Sequence, residues 1–281
     1  MWLDTLLNRA FTQRQLNQLL QSGYMEYVVK AAERYDLMCD DFLTMLQRVY
    51  KYLAHHHRNE YFYKNEMLNK IVIGKHSLNT TSALRELPVG KSIADFVIIN
   101  GKAQVYEIKT ELDNLDRLDS QLNDYFKAFG YVNVITDPKN IDLISTKINE
   151  NVGIYCLTNR NQIHCVRKAK KNISKIDSYT MFKVLRKPEF EAINREEFGY
   201  LPEVGASKYY IYNYHLFKKI SREKQQDYLV HYLKERYFQR YKGKGDLLKE
   251  IPSELRELVY FSSYNDKQIM GILNTLKKGG Q

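Results

Sequence analysis

Little in this chain points to secretion, to a membrane or to a structural metal. Three cysteines stand in 281 residues, Cys39, Cys156 and Cys165. They are odd in number and widely spaced, make no CxxC pair and fit no zinc spacing, so they read as free thiols in a reducing cytoplasm. No apolar run approaches the roughly 20 residues needed to cross a bilayer. The first residues, MWLDTLLNRAFTQRQLNQLL, lack the charged-then-apolar layout and small-residue cleavage site of a signal peptide. There is no internal repeat and no low-complexity linker. Acids are also scarce beside bases: 33 against 43, a net charge of +10. Such a surplus favours a polyanionic partner, because neutralising phosphates releases counterions.

What is present is the composition of a folded protein, 44% apolar and 27% charged, with 23 tyrosines. Aromatics beside cations suit base stacking, and they equally suit helix faces. Apolar residues at three- and four-residue spacing predict helices over 2–54 and over 59–74, with Gly74 as the stop. Strands are expected at 82–90, 96–99, 103–110 and 132–136. Between the last two, Leu115, Leu118, Leu122, Tyr125, Phe126 and Phe129 describe a helix that Asp113 or Asn114 could cap. The order is helix, three strands, helix, strand, which predicts an α+β fold with a mixed sheet flanked by helices. A second hairpin spans 152–157 and 163–169. Helices follow at 177–194, 215–240, 247–260 and 266–278, with a tyrosine-rich loop at 199–214. The implied domains are an N-terminal helical region (1–57), a core (58–175) and a C-terminal helical region (176–281).

The stretch ADFVIINGKAQVYEIKTELDN carries three charges, Asp95, Glu107 and Lys109, inside an apolar hairpin. Glu107 and Lys109 are two apart and share a face of their strand. A strict two-residue turn at Asn100-Gly101 would pair Asp95 with Tyr106 and turn Asp95 away. A three-residue loop or a single bulge brings Asp95 and Glu107 to one face. Clustered, two carboxylates on rigid strands suit Mg²⁺ completed by waters and a substrate phosphate, with Lys109 beside the developing anion. The alternative is a solvated strand edge whose Glu and Lys block aggregation.

The surrounding motifs extend this. RNEYFYKN (58–65), IGKHSL (73–78), LRELPVGKSIADFVIINGK (84–102), YEIKTELDNLDRLDSQLNDYFKAF (106–129), VNVIT and VGIYCL occur in order. Together they resemble the PD-(D/E)XK nuclease superfamily, and within it an uncharacterised bacterial and prophage family. The resemblance implies a restriction-endonuclease-like αβββαβ core and a cytoplasmic, Mg²⁺- or Mn²⁺-dependent phosphodiesterase. DNA is favoured over RNA as the partner, in phage defence or DNA processing, and a homodimer is compatible with it. It assigns Asp95 and Glu107 to the metal, Lys109 to catalysis, and Glu60 to the supporting helical acid, with Glu66 as the second candidate. Gln121 and Tyr125, one helical turn apart, together with Arg117 and Lys91, are the expected nucleic-acid contacts, with plain core as the equal alternative for Tyr125 and a surface ion pair with Asp113 as that for Arg117. Ile93 stands where the family often has a basic residue. Two other functions fit the same residues: a non-catalytic nucleic-acid-binding or interaction module, and an RNA-cleaving effector.

Overall fold

Helices open the chain, as the apolar spacing requires. The computed structural model describes residues 5–278. Here α1 (Thr5–Ala10), α2 (Gln13–Ser22), α3 (Glu26–Arg34), α4 (Phe42–His56) and α5 (Glu60–Met67) follow one another. Thr12, Asp41 and Asn59 start α2, α4 and α5, each side chain accepting a backbone N–H three residues on. Gly74 does not end the next helical stretch. From Leu68 to Lys75 the chain winds as a π-helix, and His76 N–H still bonds back to Ile71. Gly74 is not left-handed, the conformation in which a glycine usually closes a helix.

Then come β1 (Ser82–Val89), β2 (Ser92–Asn100), β3 (Lys102–Lys109), α6 (Leu118–Tyr125), β4 (Tyr131–Thr136), α7 (Ile141–Lys147), β5 (Gly153–Leu157) and β6 (Ile163–Arg167). The strands form one six-stranded sheet in chain order. β1, β2 and β3 pair antiparallel, β3, β4 and β5 parallel, and β5 and β6 antiparallel. The mixed sheet flanked by helices, and the order helix, three strands, helix, strand, are as expected. α6 is shorter than its apolar pattern. Asp113 does not cap it but turns back to accept Thr110 N–H at 2.7 Å, and the N-cap is Arg117, which makes no side-chain bond there.

The remaining helices are α8 (Ser178–Val184), α9 (Lys187–Phe198), α10 (Ala206–Phe217), α11 (Arg222–Tyr241), α12 (Gly245–Glu250), α13 (Arg256–Phe261) and α14 (Asp266–Lys278). The tyrosine-rich segment expected as a loop is mostly α10. Its buried side is only Asn213, Leu216 and Phe217, too narrow to give a clear apolar period. Among the described residues, no helix is long and apolar enough to cross a membrane.

Two compact units interleave along the chain. One comprises residues up to Leu78, Thr158–Gln162, and those from Gly243 onward. It is helical, with Leu16, Leu19, Val28, Leu46, Val49, Leu53, Leu255, Val259 and Ile272 in its interior. The other, Asn79–Leu157 with Ile163–Lys242, holds the sheet. There α6, α8 and α11 share one hydrophobic cluster with the strands, through Leu122, Tyr125, Phe182, Leu229 and Leu233 against Leu84, Val97, Val105 and Val134.

The cluster exposes an irregularity in the sheet. On β1 it takes Leu84, then Leu87 and Val89; on β2 it takes Ala94, then Val97 and Ile99. Strict alternation forbids both sets. Each strand therefore changes face, β1 across Arg85-Glu86 and β2 across Asp95-Phe96. The pairing is level on both sides, Arg85 opposite Phe96 and Leu87 opposite Ala94, so the strands switch together. Glu86 makes the switch with φ +51°, a left-handed conformation rare for a residue bearing a β-carbon.

Candidate active site

The Asn100-Gly101 turn has the register that the clustering needs. Asn100 pairs with Lys102 across Gly101, and the ladder runs to Phe96 opposite Tyr106. Continued one step, that register would set Asp95 opposite Glu107, but β2 changes face there. Gly101 has φ +70°, which the single-residue apex demands.

The ladder stops at Phe96 and Tyr106. β3 keeps its alternation, so Ala103 and Val105 lie in the cluster and Glu107 and Lys109 follow on the same face. β2 changes face at that point, and the two strands part. β2 continues against β1 (Pro88 opposite Ile93), β3 against β4 (Glu107 opposite Val134, Lys109 opposite Thr136). Asp95 sits in the fork. Its Oδ2 accepts Ile108 N–H at 2.7 Å, replacing a hydrogen bond that the departing strand no longer supplies.

The other charges converge from β3 and α6. Lys109 Nζ donates to Glu107 Oε1 at 2.7 Å and to Gln121 Oε1 at 3.0 Å. The Tyr125 hydroxyl lies 2.5 Å from Glu107 Oε2 and 2.7 Å from the Ile93 carbonyl, with one proton to give between them. Glu107 is 1% exposed, Lys109 7% and Tyr125 0%. A carboxylate so buried requires a cation and hydrogen bonds, and Lys109 and Tyr125 supply them. Burial foremost, then the charge and hydrogen bond of Glu107 and the charge of Asp95, push the Tyr125 hydroxyl far above its usual range. It stays protonated and holds Glu107 in place. Gln121 and Tyr125 thus each hold one strand residue of the site.

α6 is fixed in position by Asp124, which the sequence reading did not single out. Its carboxylate accepts Ser92 Oγ at 2.8 Å, Lys91 N–H at 3.1 Å and Lys127 Nζ at 2.6 Å. Burial alone would raise this carboxyl, but the bonds from Lys127, Ser92 and Lys91 together hold it below the usual carboxylate value. Gly90 permits the approach. It has φ +64°, and a β-carbon there would meet Asp124 Oδ1 at 2.9 Å. The only signal in the sequence was an acid beside Tyr125 on a half-buried helix. The end of β3 is tied down by Thr136 Oγ1, which donates to the Lys109 carbonyl at 2.8 Å.

The side chains of the remaining expected residues make none of the bonds just described. Lys91 is exposed at the β1–β2 turn and Arg117 is exposed at the start of α6. Glu60 belongs to the helical unit, in the first turn of α5, where it pairs with Lys64 at 2.6 Å and its side chain is 54% exposed. Glu66 is occupied on both oxygens, by Tyr50 at 2.9 Å and Lys70 at 3.2 Å. In the basic stretch 218–242, Arg236 is turned inward onto Glu189 and the Val184 carbonyl, and Lys224 pairs with Glu197.

No group of three or more His, Cys, Asp or Glu suited to a metal occurs among the described residues. Of the expected residues, Asp95 and Glu107 are two that could hold one. Two carboxylate donors fit Mg²⁺ or Mn²⁺, hard ions that keep several waters and take few protein ligands.

Residues 54–252 match the family described as Bacteriophage P4 protein cII. The chain belongs to that family. Protein cII of Enterobacteria phage P4 is 30% identical over 102 residues, which span 36% of this chain and 36% of that protein. The family match covers the fork, α6 and all of α8–α11. A solved protein of unknown function from Silicibacter pomeroyi aligns over 42% of this chain and 78% of its own, with 14% identity and a TM-score of 0.30, a likeness too slight to add to the fold description.

Proposed function

We propose that the chain is a metal-dependent nuclease that hydrolyses phosphodiester bonds of nucleic acid, with DNA favoured over RNA. The observation that supports it is the fork between β2 and β3: Asp95 accepts the backbone N–H of Ile108, between the paired Glu107 and Lys109, where the ladder opens. The motif order resembling PD-(D/E)XK nucleases points the same way, and membership of a phage protein family suits a prophage origin.

In this reading Asp95 and Glu107 hold Mg²⁺ or Mn²⁺. When bound, that ion supplies Lewis acidity at the phosphate and a water of lowered pKa. The chain's own residues do the rest. Lys109, aimed by Glu107 and Gln121, offsets the negative charge that grows as water oxygen joins phosphorus and the bond to the leaving oxygen breaks. Tyr125 keeps Glu107 from rotating away. The exposed Lys91 and Arg117 meet backbone phosphates, which position a strand without reading it.

One observation favours a second reading, a non-catalytic binding module. The Glu107–Lys109 pair is already satisfied by Tyr125 and Gln121, as a structural ion pair would be. The test is cleavage of single-stranded DNA, double-stranded DNA and RNA with Mg²⁺ or Mn²⁺, with Asp95→Ala and Lys109→Ala as controls. Cleavage lost in both variants is expected. Equal residual cleavage in all three proteins would overturn the nuclease reading, and binding without cleavage would support the module.

A further inference from the structure

α10 is a helix that leaves most of its surface in water. Lys208, Ile211, Tyr212, His215, Lys218 and Lys219 are all exposed. Spacings of three, four and seven residues put Lys208, Tyr212 and His215 on one stripe, with Ile211 beside it, and Lys218 and Lys219 follow in the turn that closes the helix. From Lys208 to His215 the stripe is about 10 Å long at helical rise.

Its tyrosines are not equivalent. Tyr209 turns inward, its hydroxyl donating to Glu191 at 2.6 Å. Tyr210 and Tyr214 pack on Phe182, ring centroids 4.9 and 5.6 Å away. Tyr212 is 45% exposed, with the His215 ring edge-on at 6.4 Å. Beside the stripe, α8 presents Tyr179, 41% exposed, under Lys183 Nζ at 5.5 Å from its centroid.

The charge around these rings is one-sided. From Ala206 to Lys219, and from Ser178 to Val184, there is no acid. Four acids of neighbouring elements are already bonded: Asp177 caps α8 through Thr180, Glu191 takes Tyr209, and Glu196 and Glu197 take Tyr228 and Lys224. Interface cores between proteins are depleted in lysine, whereas exposed aromatics set among lysines are what a single-stranded nucleic acid uses, bases on the rings and phosphates on the ammoniums.

We infer that the α10 stripe centred on Tyr212, with Tyr179 and Lys183 of α8 beside it, is a binding track for single-stranded nucleic acid. This rests on the proposed function only in taking a polynucleotide as substrate. A duplex keeps its bases stacked and could meet only the lysines.

The experiment is fluorescence anisotropy with labelled oligo-dT, oligo-rU and a DNA duplex. It uses the otherwise unaltered full chain with EDTA and without divalent metal, so that no cleavage enters. Adding Tyr212→Ala should weaken oligo-dT and oligo-rU binding by about tenfold and leave the duplex unchanged. Adding Lys208→Ala and Lys219→Ala together should flatten the dependence of log affinity on log salt by about 1.4. The dT and rU arms rank DNA against RNA. Unchanged affinity in Tyr212→Ala, with far-UV circular dichroism confirming its fold, overturns the inference. So does a loss of dimer by sedimentation with no loss of binding, which would make the stripe a contact between copies. Because binding is read apart from cleavage, an inactive wild type that still binds through Tyr212 sinks the nuclease reading and keeps this one.

Discussion

Glu107 is the residue on which the others converge, and its burial makes its neighbours consequential. Removing Lys109 leaves a buried carboxylate without its cation, so Lys109→Met should lower stability by about 3–5 kcal/mol in urea unfolding. Tyr125→Phe keeps the ring and loses only the hydroxyl at Glu107 and Ile93, for about 1–3 kcal/mol. If Tyr125 positions Glu107, the same variant should cut kcat for nucleic-acid cleavage with little change in KM; a purely structural tyrosine would shift the urea midpoint alone. Asp124 makes a pH prediction. Its carboxyl is held below its unfolded value. Its contribution is therefore complete above the unfolded value of about 3.9 and is lost as pH falls through the lower native one. The Tm gap between wild type and Asp124→Asn should be constant from pH 5 to 7 and narrow below about pH 4.

The β1–β2–β3 meander was legible in large part. Alternating apolar residues and the Asn-Gly signal gave its strands, and of the two registers open at that turn the structure has the odd one. The face switch at Glu86 was not legible, because a strand of mostly buried residues carries no visible parity. Nor was α10, whose outward tyrosines hide its short buried side. At the turns the backbone decides. Gly101→Ala should lose about 1 kcal/mol, since its β-carbon would meet nothing within 4 Å and only the positive φ opposes it. Gly90→Ala carries the same penalty plus the clash with Asp124, and should lose more and loosen α6. Chemical denaturation of the two variants measures the difference. Glu86→Gly, which relieves a strained φ, should leave stability equal or higher where other core-strand glycines weaken a sheet.

Across the whole molecule the chain passes between units four times, so neither unit is one continuous segment. The helical unit depends on its distant end. Tyr61 donates to the Glu254 carbonyl and Asn65 to the Ser253 carbonyl, over buried Leu255, Val259 and Ile272. A chain ending at Lys242 should expose α2–α5 to trypsin and lose helical ellipticity beyond the residues removed. Protection equal to wild type would show that this dependence is absent. The paired face switch of β1 and β2 has a consequence for how such a chain finds its alignment. In a uniform hairpin, a slip of two residues leaves every side chain on its proper face and is hard to reject. Here the slip would set the bend of one strand against the straight run of the other, and only one alignment brings the two bends level. The switch works as a vernier mark, giving the hairpin a single zero before any helix has docked to check it.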